Sequence, residues 1–322
     1  MLREMLFGTR ETFPYLRCRS CGALRIEAIP TDLARHYPPD YYSGSSAVSD
    51  PPAAWTARMA ERRQIQASLF GSASTTDRIV RRWAPKPSRE LRGEAPLIKR
   101  SGLRSLDDPI LDVGSGQVPS SLLRLRRLGF TDLTGIDPFL ADGPTYPGIR
   151  LERTSLDDVG GVYRLITLHH SFEHVPDPRA TLAAAERHLL PGGTILIRTP
   201  VMGTWFWETY GVDWWELDAP RHLVLHTRAS IELLAAAAGL AVAEVVWDSS
   251  YLEIVASEQI RRDLAWREPG SWFVDPPAGF DESTIQSYRE RAAQLNADGR
   301  AGRAGFYLRR VGDPGDDGSG RP

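Results

Sequence analysis

The hydrophobic pattern of the chain switches repeatedly between short apolar runs and amphipathic stretches. The apolar runs have the length of buried strands and lie near residues 109–113, 132–136, 149–152, 163–168, 193–198, 241–247 and 250–257. Apolar residues spaced three and four positions apart predict helices near 119–128, 178–189, 229–238 and 282–296. Strands that alternate with helices predict an α/β fold with a doubly wound, mainly parallel sheet.

The end of this pattern predicts an antiparallel element. Only Asp248, Ser249 and Ser250 separate the last two predicted strands, which leaves room for a hairpin but not for a helical crossover. We therefore expect a seven-stranded sheet whose last two strands form an antiparallel hairpin.

Shifts in composition divide the chain into five segments. They are an N-terminal segment with both cysteines (1–45), a helical linker or lid (46–106), a central domain (107–260), a C-terminal extension (261–311) and a Gly-, Asp- and Pro-rich tail that we expect to be disordered (312–322). Within the linker we predict a helix at about 52–70 and a loop rich in Pro, Ser and Arg at about 84–108. The extension contains an apolar stretch, Gly305-Phe306-Tyr307-Leu308.

The composition of the chain argues against nucleic acid and membranes as partners. The 322 residues carry a net charge of −2, so no strong field attracts nucleic acid or an anionic membrane. No apolar stretch is long enough to span a membrane, and the N-terminus lacks the pattern of a signal peptide. We expect a soluble, cytoplasmic protein whose partner is a small-molecule substrate, with no nucleic-acid and no membrane partner.

The most informative polar residues follow two neighbouring strands. The first predicted strand carries Asp112 near its end, and Gly114 and Gly116 then permit a tight turn that passes close to a ligand. Asp137 follows the next strand. Neighbouring strand ends form the usual ligand crevice of an open α/β sheet, and an acid at the second end can bind the hydroxyls of a ribose.

This pattern discriminates between nucleoside-containing ligands. A dinucleotide site of the G-x-G-x-x-G type would need its third glycine at position 119, where the chain has Pro119. Asp112 would also repel a pyrophosphate, but it suits an ammonium group. A ribose and an ammonium group without phosphates describe S-adenosylmethionine (SAM).

Four segments, in this order, carry a family resemblance: Asp112-Val113-Gly114-Ser115-Gly116, Gly135-Ile136-Asp137, His169-His170-Ser171-Phe172-Glu173-His174-Val175-Pro176-Asp177-Pro178 and Leu190-Pro191-Gly192-Gly193-Thr194-Ile195-Leu196-Ile197. Together they resemble the motifs of the class I SAM-dependent methyltransferases. The resemblance implies their Rossmann-like seven-stranded sheet, SAM as cofactor and methyl transfer as the reaction. One departure is Val118, which stands where the family usually has a third glycine. A non-catalytic scaffold that has lost SAM binding is therefore an alternative.

The resemblance also implies which residues contact the cofactor. The methionine part of SAM is expected near Asp112, Gly114, Ser115 and Gly116, the ribose at Asp137, the adenine near Ser155 and Leu156, and the methyl group near His169 and His170. We regard His170 as a candidate catalytic residue. Glu173 and His174 are expected to shape the site rather than to catalyse, and no metal is implied for the transfer.

An aromatic segment after the fifth strand is the expected acceptor side. Trp205, Trp207 and Tyr210 form either a substrate wall or a hydrophobic core, and the sequence leaves both readings open. In the Pro-Arg-His-Leu motif that follows, Arg221 is equipped to bind a phosphate or carboxylate, and His222 is a candidate general base that also contacts the substrate.

The N-terminal segment carries a second resemblance. Cys18 and Cys21 have the C-x-x-C-G form of a zinc-ribbon knuckle, but the chain has no further cysteine, so we expect a degenerate, metal-free ribbon. Together with Tyr37-Pro38-Pro39-Asp40-Tyr41-Tyr42, the knuckle resembles bacterial methyltransferases of polysaccharide and sugar biosynthesis. The resemblance implies a nucleotide-linked sugar or glycan precursor as acceptor. A quinone-like or polyketide-like metabolite is the alternative.

Overall fold

The computed structural model describes residues 1–38, 62, 65–71, 89–143 and 145–313. The predicted helix over 52–70 is described only at residues 62 and 65–70, which are helical. The predicted tail from residue 314 onward and the Tyr-Tyr stretch at 41–42 lie outside the described residues.

Twelve strands are present in the described part of the chain. In chain order they are β1 (Leu2–Arg3), β2 (Thr12–Phe13), β3 (Tyr15–Arg17), β4 (Leu24–Ile26), β5 (Ile110–Val113), β6 (Leu133–Ile136), β7 (Arg150–Glu152), β8 (Tyr163–His169), β9 (Leu189–Pro200), β10 (Val224–Leu225), β11 (Leu240–Trp247) and β12 (Arg303–Arg310). Seven of them form the central sheet in the order β11-β12-β9-β8-β5-β6-β7. β12 runs antiparallel to both of its neighbours, β11 and β9, whereas the other pairs of adjacent strands are parallel. The predicted seven-stranded sheet with an antiparallel hairpin at its end is thus confirmed.

The position of the last strand differs from the prediction. Residues 251–261 form a helix that begins after Ser250, and the antiparallel strand is β12, more than forty residues further along the chain. The predicted strand over 250–257 was therefore wrong, because a short apolar run does not distinguish a strand from a buried helix. The apolar stretch assigned to the C-terminal extension supplies the strand instead, so the sheet extends beyond the predicted domain boundary at residue 260.

Besides the helical residues 62 and 65–70, seven α-helices accompany the strands in the described part of the chain. They are α1 (Arg89–Arg100), α2 (Ser120–Arg127), α3 (Pro178–Arg187), α4 (Trp205–Tyr210), α5 (Arg228–Ala237), α6 (Tyr251–Arg261) and α7 (Glu282–Ala297). The prediction of a loop over 84–108 was wrong at residues 89–100, which form α1 although Pro96 lies in the interior of this helix. Good helix formers, namely Leu, Glu, Ala and Lys, surround that proline and outweigh its cost.

Local signals explain where two of these helices begin. Asp177 accepts a hydrogen bond from the backbone N–H of Ala180, and Pro178 occupies the first turn of α3. Thr227 and Ser230 form a reciprocal capping box at the start of α5. Both helices pack on the same face of the sheet, so they hold in place the segments that follow β8 and β10.

The hydrophobic core lies on both faces of the central sheet. Along β8, Ile166 packs with α3 and α5, whereas Leu165 points to the other face and packs with Leu122 of α2 and Ile98 of α1. Each of these side chains is fully buried. Burial of one such side chain stabilises the fold by about 1.5–3 kcal/mol.

The N-terminal segment packs against the chain that follows β9. Strands β3 and β4 form a hairpin, and β4 pairs antiparallel with β10. The Thr227 hydroxyl donates a 2.7 Å hydrogen bond to the carbonyl oxygen of Cys21. Residues near the start of the chain therefore reach the carboxyl ends of the central strands. Among the described residues, no helix combines the length and apolarity that a membrane crossing requires.

Candidate active site at the carboxyl ends of the central strands

The turn after β5 depends on its glycines. Gly114 has a φ of +75° and Gly116 one of +64°, a region that residues with a Cβ rarely adopt. A Cβ on Gly114 would lie 2.6 Å from the Cβ of Ser171, so the turn is also packed against the end of β8. The backbone N–H of Gly114 donates to the carbonyl oxygen of Ile136, which keeps the turn beside β6.

Ser115 is packed at the tip of this turn. A Cβ on Gly135 would lie 2.7 Å from the Ser115 Oγ, so the glycine in β6 makes room for this serine. The Ser115 Oγ is buried and has no hydrogen-bond partner among the described residues. A buried hydroxyl without a partner is rare in folded proteins. It offers a polar contact to a ligand seated on the turn.

Asp112 lies beneath the turn and is 3% exposed. Its two carboxylate oxygens accept 2.6 Å hydrogen bonds from the hydroxyls of Ser121 and Thr167. These hydroxyls fix the orientation of the carboxylate without neutralising it. Asp112 therefore places a negative charge under the position predicted for the ammonium group of SAM.

Asp137 lies at the end of β6, across the crevice from the glycine turn. Its carboxylate accepts hydrogen bonds from the backbone N–H groups of Gly116, at 3.2 Å, and Phe139, at 2.8 Å. Each carboxylate oxygen keeps further lone pairs that a pair of ribose hydroxyls can use. The structure thus brings Asp112, Asp137 and the glycine turn together, as the sequence predicted.

The predicted adenine contacts follow β7. The Ser155 hydroxyl donates to the carboxylate of Asp158 at 2.6 Å, so its own hydrogen is already engaged. Leu156 is 8% exposed and belongs to the core beneath the sheet. These residues lie in the loop that the strand order places next to Asp137.

The end of β8 carries the two histidines predicted near the methyl group. His169 is part of the strand, and burial lowers its pKa. His170 has a φ of +50°, an uncommon conformation for a residue with a Cβ, and its side chain is 34% exposed. Its Nδ1 lies 3.4 Å from Oε1 of Glu173. His170 is thus the histidine that faces the crevice.

Glu173 points from a 3-10 turn into the interior and is fully buried. Its Oε2 accepts a 3.0 Å hydrogen bond from the Thr199 hydroxyl, whereas Oε1 has no hydrogen-bond partner among the described residues. Burial alone would raise the pKa of Glu173, but the imidazoles of His170, His222 and His174 outweigh it and lower this pKa. The sequence predicted a shaping role for Glu173 and missed its central position.

His174 and His222 flank this carboxylate with their rings 4.8 Å apart. Nδ1 of His174 lies 2.9 Å from the carbonyl oxygen of Arg221, and Nδ1 of His222 lies 2.8 Å from that of Glu216. Burial and the neighbouring His222 lower the pKa of His174 to about 4, so His174 is neutral at pH 7. His222 is 6% exposed, which separates it from the open crevice.

The prediction that Arg221 binds a substrate phosphate is wrong in this structure. Arg221 is fully buried, and its guanidinium donates to the carboxylates of Asp218 and Glu4 and to the carbonyl oxygen of His36. A phosphate cannot reach it without breaking these bonds. The fold uses Arg221 to anchor the N-terminal segment to the loop before β10, because two carboxylates buried at this junction need a cation.

The aromatic segment mainly forms a hydrophobic core. Tyr210 is 6% exposed and its hydroxyl donates to the carboxylate of Glu258, so Tyr210 lies inside the protein rather than on an open wall. Trp205 and Trp207 are partly buried and pack against the same core, together with the fully buried Trp214. The core reading therefore accounts for most of this segment.

Two residues near the site have contacts that the sequence did not predict. Glu4 pairs with Arg221 across 217 positions, and the hydroxyl of Tyr37 lies 3.1 Å from Nδ1 of His174. Packing of the N-terminal segment, including the pairing of β4 with β10, brings these residues to the site. Glu4 has no local sequence signal, whereas the Tyr-Pro motif was a signal for Tyr37 but did not indicate which residue Tyr37 contacts.

The cysteine knuckle forms the turn between β3 and β4. The backbone N–H of Gly22 donates to the carbonyl oxygen of Cys18, and that of Cys18 donates to Ala23. Hydrogen bonds from Ser20 and Cys21 lower the pKa of the Cys18 thiol to about 6.

The chain is similar to a protein family and to several solved structures. A model of the methyltransferase domain family matches residues 74–245. No curated protein matches the chain. Two similar solved structures are a SAM-dependent methyltransferase from Mesorhizobium loti (16% identity, TM-score 0.42, 70% of this chain and 99% of that chain) and a geranyl diphosphate C-methyltransferase from Streptomyces coelicolor A3(2) (14% identity, TM-score 0.42, 76% and 88%). A third is the StiE O-MT (16% identity, TM-score 0.41, 81% and 83%).

The family model covers more than half of the chain and includes β5 to β9, which carry the glycine turn, both acids and the histidine cluster. The chain therefore belongs to the methyltransferase domain family and is a methyltransferase.

Proposed function

We propose that the enzyme binds SAM between the glycine turn and Asp137 and transfers its methyl group to a small-molecule acceptor, a nucleotide-linked sugar or glycan precursor. The observation that carries the donor part is the crevice itself. Asp137 is held by the N–H of Gly116 while the buried Oγ of Ser115 has no partner among the described residues. Both groups face the position that a nucleoside occupies in an open α/β sheet.

The residues of the crevice fit the polar groups of SAM one by one. The fixed carboxylate of Asp112 stabilises an ammonium group, and Asp137 accepts from the ribose hydroxyls. The turn at 114–116 brings backbone close to the ligand because its glycines have no Cβ. No phosphate is needed to account for this arrangement.

Bound SAM supplies an activated methyl group, so the protein chiefly has to hold the acceptor in line with it. The partly exposed His170 is the histidine best placed to touch an acceptor and to accept a proton from it. Glu173, 3.4 Å away, stabilises the resulting imidazolium. We assign this role to His170 rather than to His222, because His222 is 6% exposed.

The acceptor class is supported by the N-terminal segment. This segment carries the resemblance to sugar-associated methyltransferases, and Tyr37 reaches the histidine cluster through its contact with His174. Arg221 gives no support, because its donors are engaged inside the protein. A nucleotide-linked sugar would therefore have its phosphates outside the Arg221 pocket.

The donor part is tested by calorimetry with SAM and S-adenosylhomocysteine. We expect micromolar binding by the wild type and a loss of about 10- to 100-fold in Asp137→Asn, since a hydrogen bond to a charged group contributes about 1.5–3 kcal/mol. Asp132→Asn, which changes an exposed aspartate at the opposite, amino end of β6, is the matched control and should bind normally. A folded wild type that binds neither compound would favour the non-catalytic scaffold and would place the cause at Val118 and Pro119.

The acceptor part is tested with methyl-labelled SAM and a panel of nucleotide sugars, quinols and phenolic polyketide mimics. Transfer to a nucleotide sugar alone supports the proposal, whereas transfer to a quinol or phenol alone contradicts the acceptor class. With the accepted compound, His170→Asn should keep its affinity for S-adenosylhomocysteine and turn over about 100-fold more slowly. An unchanged rate would exclude His170 as the proton acceptor.

A further inference from the structure

We infer that Glu173, His174 and His222 form a binding site for a divalent transition-metal ion. One possible ligand atom from each of these side chains lies within 4.8 Å of the other two. The group sits below the crevice, where Glu173 and His222 are buried and His174 is partly buried. The inference concerns binding by these three side chains and does not depend on the identity of the methyl acceptor.

The hydrogen bonds of the two histidines prepare them as ligands. A carbonyl oxygen can only accept, so the short contacts to the Arg221 and Glu216 carbonyls place a hydrogen on Nδ1 of each imidazole. The Tyr37 hydroxyl, 3.1 Å from Nδ1 of His174, then accepts from the same hydrogen. In the neutral imidazole, this arrangement leaves the lone pair on Nε2. A backbone carbonyl that fixes the second nitrogen in this way is the usual support for a metal-binding histidine.

The carboxylate of Glu173 is held in one orientation, but only one of its two oxygens accepts a hydrogen bond from the described residues. Thr199 holds Oε2, while Oε1 lies 3.9 Å from Nε2 of His222 and accepts no hydrogen bond from the described residues. This separation is too long for a hydrogen bond. Two donors that share one ion at about 2.1 Å lie up to about 4.2 Å apart, so the pair already has the spacing of ligands. The ligand atom of His174 lies within 4.8 Å of the other two, so binding of one ion by all three requires this distance to shorten by several tenths of an ångström.

The donor set decides the class of ion. Two imidazole nitrogens and one carboxylate oxygen suit zinc or ferrous iron, whereas magnesium and calcium prefer oxygen ligands. Three protein ligands leave at least one coordination position for water or another oxygen ligand, as in catalytic zinc sites. His170 lies at the rim of the group, with its Nδ1 3.4 Å from Oε1 of Glu173.

The test uses the full-length protein, stripped with a chelator, in which Cys18→Ser and Cys21→Ser remove the other plausible zinc ligands. Zn²⁺ is titrated by calorimetry, and Co²⁺ binding is followed by its visible absorption bands. We expect one equivalent of each ion, and a loss of at least about 100-fold in Zn²⁺ affinity in Glu173→Gln and in His222→Asn. His188→Asn, which changes a histidine outside the group, should bind as the parent does.

Two results would overturn the inference: a folded cysteine-free parent that binds no Zn²⁺, or Glu173→Gln that binds Zn²⁺ as tightly as the parent. Circular dichroism establishes that each variant is folded. If His222→Asn does not fold, Glu173→Gln and the Co²⁺ spectrum decide, because nitrogen and oxygen ligands give ligand-field bands without thiolate charge transfer. Binding of S-adenosylhomocysteine, measured on the same samples, separates failure of the metal site from failure of the donor site.

Discussion

The two sides of the crevice are built in different ways. The donor side is built around Asp112, the glycine turn and Asp137, and its contacts join neighbouring strand ends of one sheet. The acceptor side combines residues as distant as Glu4 and Arg221, which meet where the N-terminal segment packs against the loop before β10. Contacts between adjacent strands of one sheet create the first, whereas packing of the N-terminal segment creates the second.

The two sides also differ in where their charges lie. On the donor side, carboxylates are held by hydroxyls and backbone N–H groups and remain next to the ligand position. On the acceptor side, Arg221, Glu4 and Glu173 are all completely buried. Buried charges must be paired within the protein, so these residues stabilise one arrangement of the fold rather than contact a solvent-borne anion.

The largest expected effect follows from this difference. Arg221→Met removes the cation between Asp218 and Glu4 and leaves these two carboxylates without their positively charged partner. We expect a loss of about 3–5 kcal/mol in the free energy of unfolding, measured with a chemical denaturant. Arg228→Met, in the exposed pair with Glu232, is the matched control and should stay within about 0.5 kcal/mol.

The opposite result would restore the expectation drawn from the sequence. If Arg221→Met were as stable as the wild type but had a raised KM for the acceptor, Arg221 would be a substrate ligand. The two sides of the crevice would then not differ in kind.

The donor side was predictable because its information is local. The strand-turn-strand pattern around Gly114 and Gly116 requires glycine, and an acid at each strand end has few other uses. The acceptor side was not predictable in the same way. The motif around Arg221 does not reveal that Glu4 lies next to it, and the aromatic segment reads equally well as a wall or a core.

The prediction of the central sheet was limited in the same way, because local sequence does not report long-range pairing. Six strands were found near their true positions, since strands that alternate with helices leave a clear pattern. The seventh was misplaced because Leu252, Ile254 and Val255 form an apolar pattern that fits a buried helix as well as a strand. No local feature of the sequence indicates that β12 lies between β9 and β11 in the sheet. Position along the chain does not determine position in the sheet when a long insertion intervenes.

The second prediction tests whether the donor side depends on its turn. Gly114→Ala imposes a side chain at a φ of +75° and places its Cβ 2.6 Å from that of Ser171. The conformational cost alone is about 1–2 kcal/mol. We expect affinity for S-adenosylhomocysteine to fall at least about 10-fold by calorimetry. Gly203→Ala is the control, because Gly203 has a φ of +78° but nothing within 4 Å of an added Cβ.

Equal affinities of the two glycine variants would mean that the turn at 114–116 does not contact the ligand. A loss in Gly114→Ala alone, with similar unfolding free energies for both, would assign the effect to the crevice rather than to general strain.

The last prediction concerns the support of the acceptor side and is a dependence on pH, with a small effect per pH unit. Glu253 is fully buried beneath the aromatic segment and accepts a hydrogen bond from Trp214 Nε1. Burial and the neighbouring Glu216 raise its pKa to about 8. Glu253 therefore keeps its proton in the folded protein at a pH where the unfolded chain has lost it. Stability from this group is complete below the unfolded pKa, near 4.5, and is lost as the pH rises toward 8.

For a single proton, the free energy of unfolding should fall by up to about 1.4 kcal/mol per pH unit within that window. Denaturant titrations between pH 5 and pH 8 measure the slope. Glu253→Gln keeps the shape and removes the titration, so its slope should be shallower, whereas Glu282→Gln, at the exposed start of α7, should keep the wild-type slope. If Glu253→Gln kept the full slope, another group would carry the dependence. A shallower slope would mean that the aromatic core is stabilised by a neutral carboxyl group, in contrast to the fixed carboxylates of the donor side.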